Sequence, residues 1–343
     1  MGCNLHLVVH GRGNAWPVLL GESHPFYDRT DPRDLSNASF SVTATAGEGI
    51  VADVLVDAGH GTIQSLLAGS NRIPDSICLT HGHMDHTLSV DWVVQSYWRL
   101  HKKERLYPVY TTSPVYRFLL RSYPHLEPLM VFRELAYGIP VKLENSHPYV
   151  VTAFPAYHGP GAAGASMLLF EIEGKRVLFT GDLLLPLLRE QDYGHLETVD
   201  LLVVDTNNRF PWPRTNHWSF AGHPENPFSR SEVLTGFLEQ LTWETVMIPH
   251  QISYREKPHQ QYFLQLKTEW DVNRQPCTIL EFLHRIKPQM VLPVHYSGAE
   301  DWRYHQEPMM TSMELLSWME TTARETGLGS VFRIPEARQV IPF

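Results

Sequence analysis

Between Leu79 and Thr87 the chain reads Leu-Thr-His-Gly-His-Met-Asp-His-Thr, which places three imidazoles and a carboxylate within six consecutive residues, His81 to His86. Imidazole nitrogen and carboxylate oxygen are donors that zinc, manganese and iron accept from proteins. Four of them in so short a stretch point to a bound cation rather than to a polar surface loop. His81 and His83 are expected to share one ion, with Asp85 and His86 turned toward a second. Gly82 is expected to let the chain turn so that successive side chains face inward.

Two ions need more donors than this cluster holds, so residues from later in the chain must approach it. His158, Asp182 and His295 each stand just after a run that reads as a strand, where loops converge at one edge of a sheet. His158 would add a third imidazole to the ion held by His81 and His83. Asp182 would bridge the ions, and His295 would join Asp85 and His86 on the second. His250 competes with His295, because Ile248-Pro-His250 and Leu292-Pro-Val-His295 are built alike.

The surrounding elements read as strands with few helices, then strands alternating with helices. Residues 5–9 form a strand that two glycines and a proline break over 10–17, and residues 39–45 and 51–57 form a pair about a turn at 47–49. The apolar run 76–79 enters the histidine cluster as a buried strand, and apolar residues recurring every three or four positions from Leu88 to Leu100 leave it as a helix. A strand at 109–112 precedes a helix capped by Ser113 and continuing to Arg121. Strands follow at 149–154, 166–172, 176–180 and 199–205, then a long irregular segment at 207–227. Its four aromatic residues, Phe210, Trp212, Trp218 and Phe220, argue for order. Helices are expected at 231–241, 278–286 and 312–325, a helical excursion at 251–276, and strands at 245–249, 290–294 and 330–334. Two sheets packed face to face with helices outside account for this order.

Composition narrows the function. Hydrophobic residues at 43% and charged residues at 19% describe a globular chain with material for a large core. A formal charge of −9 repels polyanions, which favours a small-molecule substrate over long nucleic acid. The three widely spaced cysteines form no disulfide framework or Cys-x-x-Cys knuckle, and no signal peptide or membrane span is expected from the short apolar run after Met1 and the absence of a long apolar stretch. A cytoplasmic protein is expected, with no membrane partner and room for a homo-oligomer.

The set His81-Gly-His83-Met-Asp85-His86 with His158, Asp182 and His295 resembles the metallo-β-lactamase-fold hydrolases over nearly the whole chain. The resemblance implies an α/β fold, an αββα sandwich of two mixed β-sheets flanked by helices. It also implies one domain over residues 1–343 with an insertion at about 206–276, and a two-zinc site at one edge in which manganese or iron could replace zinc. Tyr-Ser-Gly after His295 fits the family pattern and favours His295 over His250, and Asp57 falls where the family keeps a supporting acidic residue. The turn Gly11-Arg-Gly-Asn-Ala-Trp-Pro17, with Asn37-Ala-Ser39, resembles the branch of RNase Z-type tRNA 3′-processing endonucleases, the cyclic ribose phosphate phosphodiesterase of phosphonate breakdown and the B protein of PQQ synthesis. That branch places an additional histidine near Phe220-Ala-Gly-His223-Pro, with His217 as local competitor.

The implied chemistry is hydrolysis of a small, cyclic or nucleotide-like phosphodiester by a di-zinc-bound hydroxide, with Asp85 orienting the attack and His223 protonating the leaving oxygen. A carboxylic ester, lactone or thioester hydrolase is the alternative within enzymes, for which the aromatic segment around Trp212 and Trp218 would suit an acyl group. A non-hydrolytic metal-binding protein of a cofactor pathway is the alternative of another class.

Overall fold

The computed structural model describes residues 3–17, 20–21, 27–144, 147–206, 217–223, 225–295 and 310–343. Phe210, Trp212 and the Tyr-Ser-Gly after His295 lie outside these. The first sheet contains β1 (Asn4–Gly11), β2 (Ser39–Ala46), β3 (Gly49–Val56), β4 (Ser76–Cys78), β5 (Tyr107–Thr111) and β6 (Met130–Glu134), with β15 (Val340–Pro342) beside β1. Its order is β15-β1-β2-β3-β4-β5-β6. The first pairings are antiparallel and those from β3 to β6 parallel.

The second sheet contains β7 (Val141–Lys142), β8 (Val150–Tyr157), β9 (Ser166–Ile172), β10 (Lys175–Phe179), β11 (Leu185–Pro186), β12 (Leu201–Asp205), β13 (Met290–Val294) and β14 (Val331–Phe332). Its order is β11-β8-β9-β10-β12-β13-β14, with β7 pairing beside β8. Strands β8, β9 and β10 are antiparallel, whereas β10, β12, β13 and β14 run parallel. Two mixed sheets flanked by helices result, as the sequence implied.

The period of two along each strand assigns the faces. Val54, Val56 and Cys78 point into the core shared by both sheets, where the Phe40 and Phe179 rings meet at 5.6 Å. Leu55, Ile77 and Leu79 point the other way, against α3 (Val90–Leu100) and α4 (Ser113–Ser122). The helices before these are α1 (Thr62–Ala68) and the single turn α2 (Met84–Thr87). Those after them are α5 (Glu190–Leu196), α6 (Glu232–Leu238), α7 (Trp243–Met247), α8 (Gln251–Arg255), α9 (Lys257–Glu269), α10 (Ile279–Ile286) and α11 (Ser312–Thr326).

Three expectations change. The strand expected at 245–249 is α7 followed by a 3-10 turn over Ile248–His250. Its β-branched residues favour a strand, but the Thr242 side chain accepts a hydrogen bond from Thr245 N and starts a helix instead. The helix α4 is preceded by Thr112 as its cap residue, with Ser113 already inside. The last strand is not 330–334: β14 covers only Val331–Phe332, and the chain returns as β15 to pair with β1.

Candidate metal centre

The centre lies where strands of both sheets end. Asp57 follows β3, the His81–His86 cluster follows β4, His158 follows β8, Asp182 follows β10, Asp205 ends β12 and His295 follows β13. Strands β3 and β4 are parallel in one sheet, and β8, β10, β12 and β13 share a direction in the other. Their carboxyl ends therefore open on one edge, the usual place for a site in such sheets. Asp57 and His295 adopt left-handed backbone conformations, φ 56° and 63°, uncommon for residues with a side chain. Gly181 takes φ 57°, and a Cβ there would come within 2.8 Å of Thr80 Cβ, so glycine lets the Asp182 loop close on the histidine loop.

Three overlapping sets of donors form among the described residues, and Asp182 belongs to each, the third joining it to Asp205, His217 and His295. Ligand atoms of His81, His83, His158 and Asp182 all lie within 4.8 Å of one another, as do those of Asp85, His86, Asp182 and His295. Asp182 Oδ2 is 3.7 Å from His81 Nε2 and 3.6 Å from His158 Nε2, while its Oδ1 is 3.2 Å from His86 Nε2. Asp85 Oδ2 lies 3.2 Å from His295 Nε2 and 3.4 Å from His86 Nε2. The structure thus brings all seven residues together in the two groups expected from the sequence.

Asp57 sets the orientation of both groups. Its Oδ1 accepts Thr80 N at 2.8 Å, and its Oδ2 accepts both Thr80 Oγ1 at 2.7 Å and His86 Nδ1 at 2.8 Å. The Thr80 hydroxyl proton is committed to Asp57, so the 3.2 Å contact between Thr80 Oγ1 and His81 Nδ1 is assigned as Nδ1–H donating to the hydroxyl. One carboxylate thereby holds Nδ1–H on two rings and turns Nε2 of each toward the donor groups. His81 Nε2 and His86 Nε2 are buried and make no hydrogen bond among the described residues.

The donor set fits a divalent cation. Burial holds His158 down at about 3 and His81 well below the usual imidazole range, which keeps both rings in the neutral form that ligates. Burial alone would raise Asp182, but the His295, His86 and His81 rings outweigh it and hold the carboxyl well below the usual range. On His86 burial opposes a charge, yet Asp182, Asp85 and Asp57 raise it well above the imidazole range. The three carboxylates therefore attract positive charge to the point where the unbonded Nε2 atoms gather.

Gly82 has a different role from the expected turn. It is not in the left-handed region; a Cβ there would sit 2.8 Å from Phe118 Cδ1, so glycine is needed for room. His250 is buried in the core, with Nε2 3.0 Å from Ala156 O and Nδ1 3.2 Å from Tyr137 Oη, and belongs to neither group. His217 comes to the site instead: its ring lies 5.2 Å from His158 and 4.6 Å from His295, and Nδ1 is 2.8 Å from Asp205 Oδ2. His223 accepts a hydrogen bond from Glu225 N in its own loop and lies in none of the donor groups. Trp218 is fully buried against Phe282, so it offers no surface to an acyl group.

Asp205 was not singled out from the sequence. Burial raises its carboxyl, against which His217 acts. Its Oδ2 also accepts Leu183 N at 2.9 Å, and its Oδ1 stands 3.6 Å from His295 Nδ1. An acidic residue closing a buried β-branched strand is the signal that could have found it.

Residues 52–219 match the profile of the Metallo-beta-lactamase superfamily. A stretch of 119 residues is 30% identical to "Endoribonuclease YSH1" of Mycosarcoma maydis, covering 32% of this chain but only 14% of that protein. Among solved structures, the fold is similar to a diphosphatase from the PhnP family, with TM-score 0.58, 16% identity and coverage of 100% of this chain and 98% of that one. It is also similar to Zn(2+)-bound PqqB from Methylobacterium extorquens, with TM-score 0.52, 12% identity and coverage of 98% and 100%. The short form of human tRNase Z gives TM-score 0.52, 13% identity and coverage of 98% of each chain.

Proposed function

The chain carries a metallo-beta-lactamase superfamily domain, and from that premise we propose that it is a metal-dependent phosphodiesterase acting on a small, cyclic or nucleotide-like phosphodiester with two zinc ions. His81, His83 and His158 would hold one ion and Asp85, His86 and His295 the other, with Asp182 available to both groups. When bound, the ions supply Lewis acidity toward phosphoryl oxygens and a nucleophile at neutral pH. Asp85, whose carboxylate lies 3.2 Å from His295 Nε2 and 3.4 Å from His86 Nε2, would accept a proton or hydrogen bond from that nucleophile and so orient it. An anionic phosphoryl group would suit a centre in which paired cations are available to its oxygens.

The observation that carries the phosphodiester reading is the Asp205–His217 pair against His158 and His295. Phosphodiester cleavage needs a proton for the leaving oxygen, and an imidazole backed by a carboxylate supplies it near neutrality. With Nδ1 held by Asp205, transfer runs through Nε2. His217 therefore takes the role that the sequence pattern suggested for His223. The diphosphatase and tRNase Z likenesses support phosphoryl substrates. No helix among the described residues is long and apolar enough to cross a membrane, and the three cysteines are free thiols, which suits a cytoplasmic setting.

Purified protein loaded with zinc or manganese is to be assayed on bis-aryl phosphodiester, aryl phosphomonoester, lactone and thioester substrates. Diester turnover is expected, and His217→Gln should lower it by about 10²- to 10⁴-fold with metal content retained. Turnover of lactone or thioester without diester would refute the assignment. A larger loss in His223→Ala than in His217→Gln would return the proton donor to His223.

A further inference from the structure

A second group of donors gathers at the opposite end of the sheets. Cys3 stands just before β1, His147 shortly before β8, and Glu173 in the turn between β9 and β10. Strand β1 runs from Cys3 toward Arg12, whose carbonyl accepts His295 N, and β8 and β10 lead toward His158 and Asp182. Eight residues of strand separate the two ends by about 25 Å. Ligand atoms of the three residues lie within 4.8 Å of one another.

We propose that Cys3, His147 and Glu173 form a mononuclear site for a borderline-soft divalent cation such as Zn²⁺, which fastens the first strand of one sheet to the second sheet. Thiolate, imidazole and carboxylate are all ordinary zinc donors, and a sulfur ligand favours zinc over magnesium, calcium or manganese. Glu173 is already placed: its Oε2 accepts Cys3 N at 3.2 Å, and its Oε1 is 3.2 Å from His147 Nε2. The His147 side chain is only 11% exposed, and its Nε2 is buried without a hydrogen bond among the described residues. With the ring proton on Nδ1, Nε2 and the Glu173 carboxylate are two acceptors facing each other at 3.2 Å, which a cation between them resolves. Cys3 binds as the thiolate, its proton passing to solvent, and His147 binds neutral through Nε2. Solvent would complete the coordination, and because the site stands at the end of the sheets away from the His/Asp centre, it is expected to act on stability and not on turnover there.

The sulfur ligand makes the proposal testable apart from hydrolysis, because the His/Asp centre contains none. Protein titrated with Co²⁺ should develop a near-ultraviolet thiolate-to-cobalt charge-transfer band, and should bind one more equivalent of metal than Cys3→Ser. The band should also disappear in His147→Gln. Cys78 and Cys277 are buried, so Cys3→Ser identifies the thiol responsible. Added Zn²⁺ should quench the band and raise the thermal midpoint of wild type more than that of Cys3→Ser. No band in wild type, or a band and full metal stoichiometry in folded Cys3→Ser, would overturn the site. If Cys3→Ser does not fold, alkylation of Cys3 in folded wild type replaces it, and a band that survives alkylation has the same consequence.

Discussion

Asp57→Asn tests how the metal donors are oriented. Asparagine keeps the shape of aspartate and tolerates the left-handed conformation at φ 56°, so the backbone is not the variable. The carboxylate accepts three hydrogen bonds, from Thr80 N, Thr80 Oγ1 and His86 Nδ1, all between 2.7 and 2.8 Å. An amide offers one oxygen and two N–H groups. If its oxygen keeps Thr80 N, its nitrogen faces His86 Nδ1 and drives that ring's proton to Nε2, the ligating atom. If it turns over, two donors meet at Thr80. Either arrangement also disturbs His81, which leans on the Thr80 hydroxyl. Loss of such a supporting contact weakens metal binding by about 10- to 100-fold, or roughly 1.4 to 2.8 kcal/mol. Because Asp57 serves one ring from each donor group, both ions should weaken. Competition against a chromophoric chelator measures each affinity, and denaturant titration of metal-free protein measures the separate cost to folding. Two unchanged affinities in Asp57→Asn would refute the relay, and weakening of only one ion would confine it to the direct His86 contact.

His295→Ala should lose one equivalent of metal, whereas His250→Ala should retain both and lose about 1 to 3 kcal/mol of stability, because Ala156 O would lose its His250 partner while Tyr137 Oη keeps Gly164 O. Metal analysis with denaturant midpoints decides this, and metal loss in His250→Ala alone would reverse the assignment. Asp53, buried on β3 away from the donors, is pushed up to about 7 by burial, with a hydrogen bond from Ser41 opposing. Its folded value lies above its unfolded one, so the stability it contributes is complete below about pH 4 and is lost as pH rises through about 7. About three pH units at ~1.4 kcal/mol each set an upper bound near 4 kcal/mol. Asp53→Asn should flatten the fall in stability between about pH 4 and 7, and an unchanged slope would assign it to other groups.

The sequence revealed most where a local pattern and its consequence coincide. Four donors in six residues are visible without a fold, and β-branched runs ending in His or Asp identified the strand ends that meet them. Contacts between distant loops were not visible. His217 and His223 lie six residues apart in an irregular segment with no periodicity to orient either, and packing against His158 and His295 distinguishes them. Thr245-Val-Met-Ile read as a strand because β propensity is a weak preference that one capping hydroxyl at Thr242 overrides. Cys3, His147 and Glu173 are separated by 144 and 26 residues, and only the far end of the sandwich makes them neighbours.

Asp57 and Asp205 show what the fold adds to the visible ligands. Each closes or follows a buried parallel strand, one in each sheet, and each accepts a backbone N–H from the loop that carries metal donors, Thr80 N in one case and Leu183 N in the other. Each also engages an imidazole through Nδ1, His86 at 2.8 Å and His217 at 2.8 Å. A carboxylate buried at such a place is costly unless several donors converge on it, and those donors are the loops that must be held for a site to exist. The desolvation cost of the acid is thus offset by the same hydrogen bonds that fix the geometry. The two acids differ in what their imidazole does. His86 belongs to a donor group with unbonded Nε2, so under the proposed function Asp57 would act on metal affinity, whereas His217 lies beside the groups' outer rings, so Asp205 would act on proton transfer as well as on His295. On this basis, replacement of Asp57 should appear first in metal binding and replacement of Asp205 first in turnover.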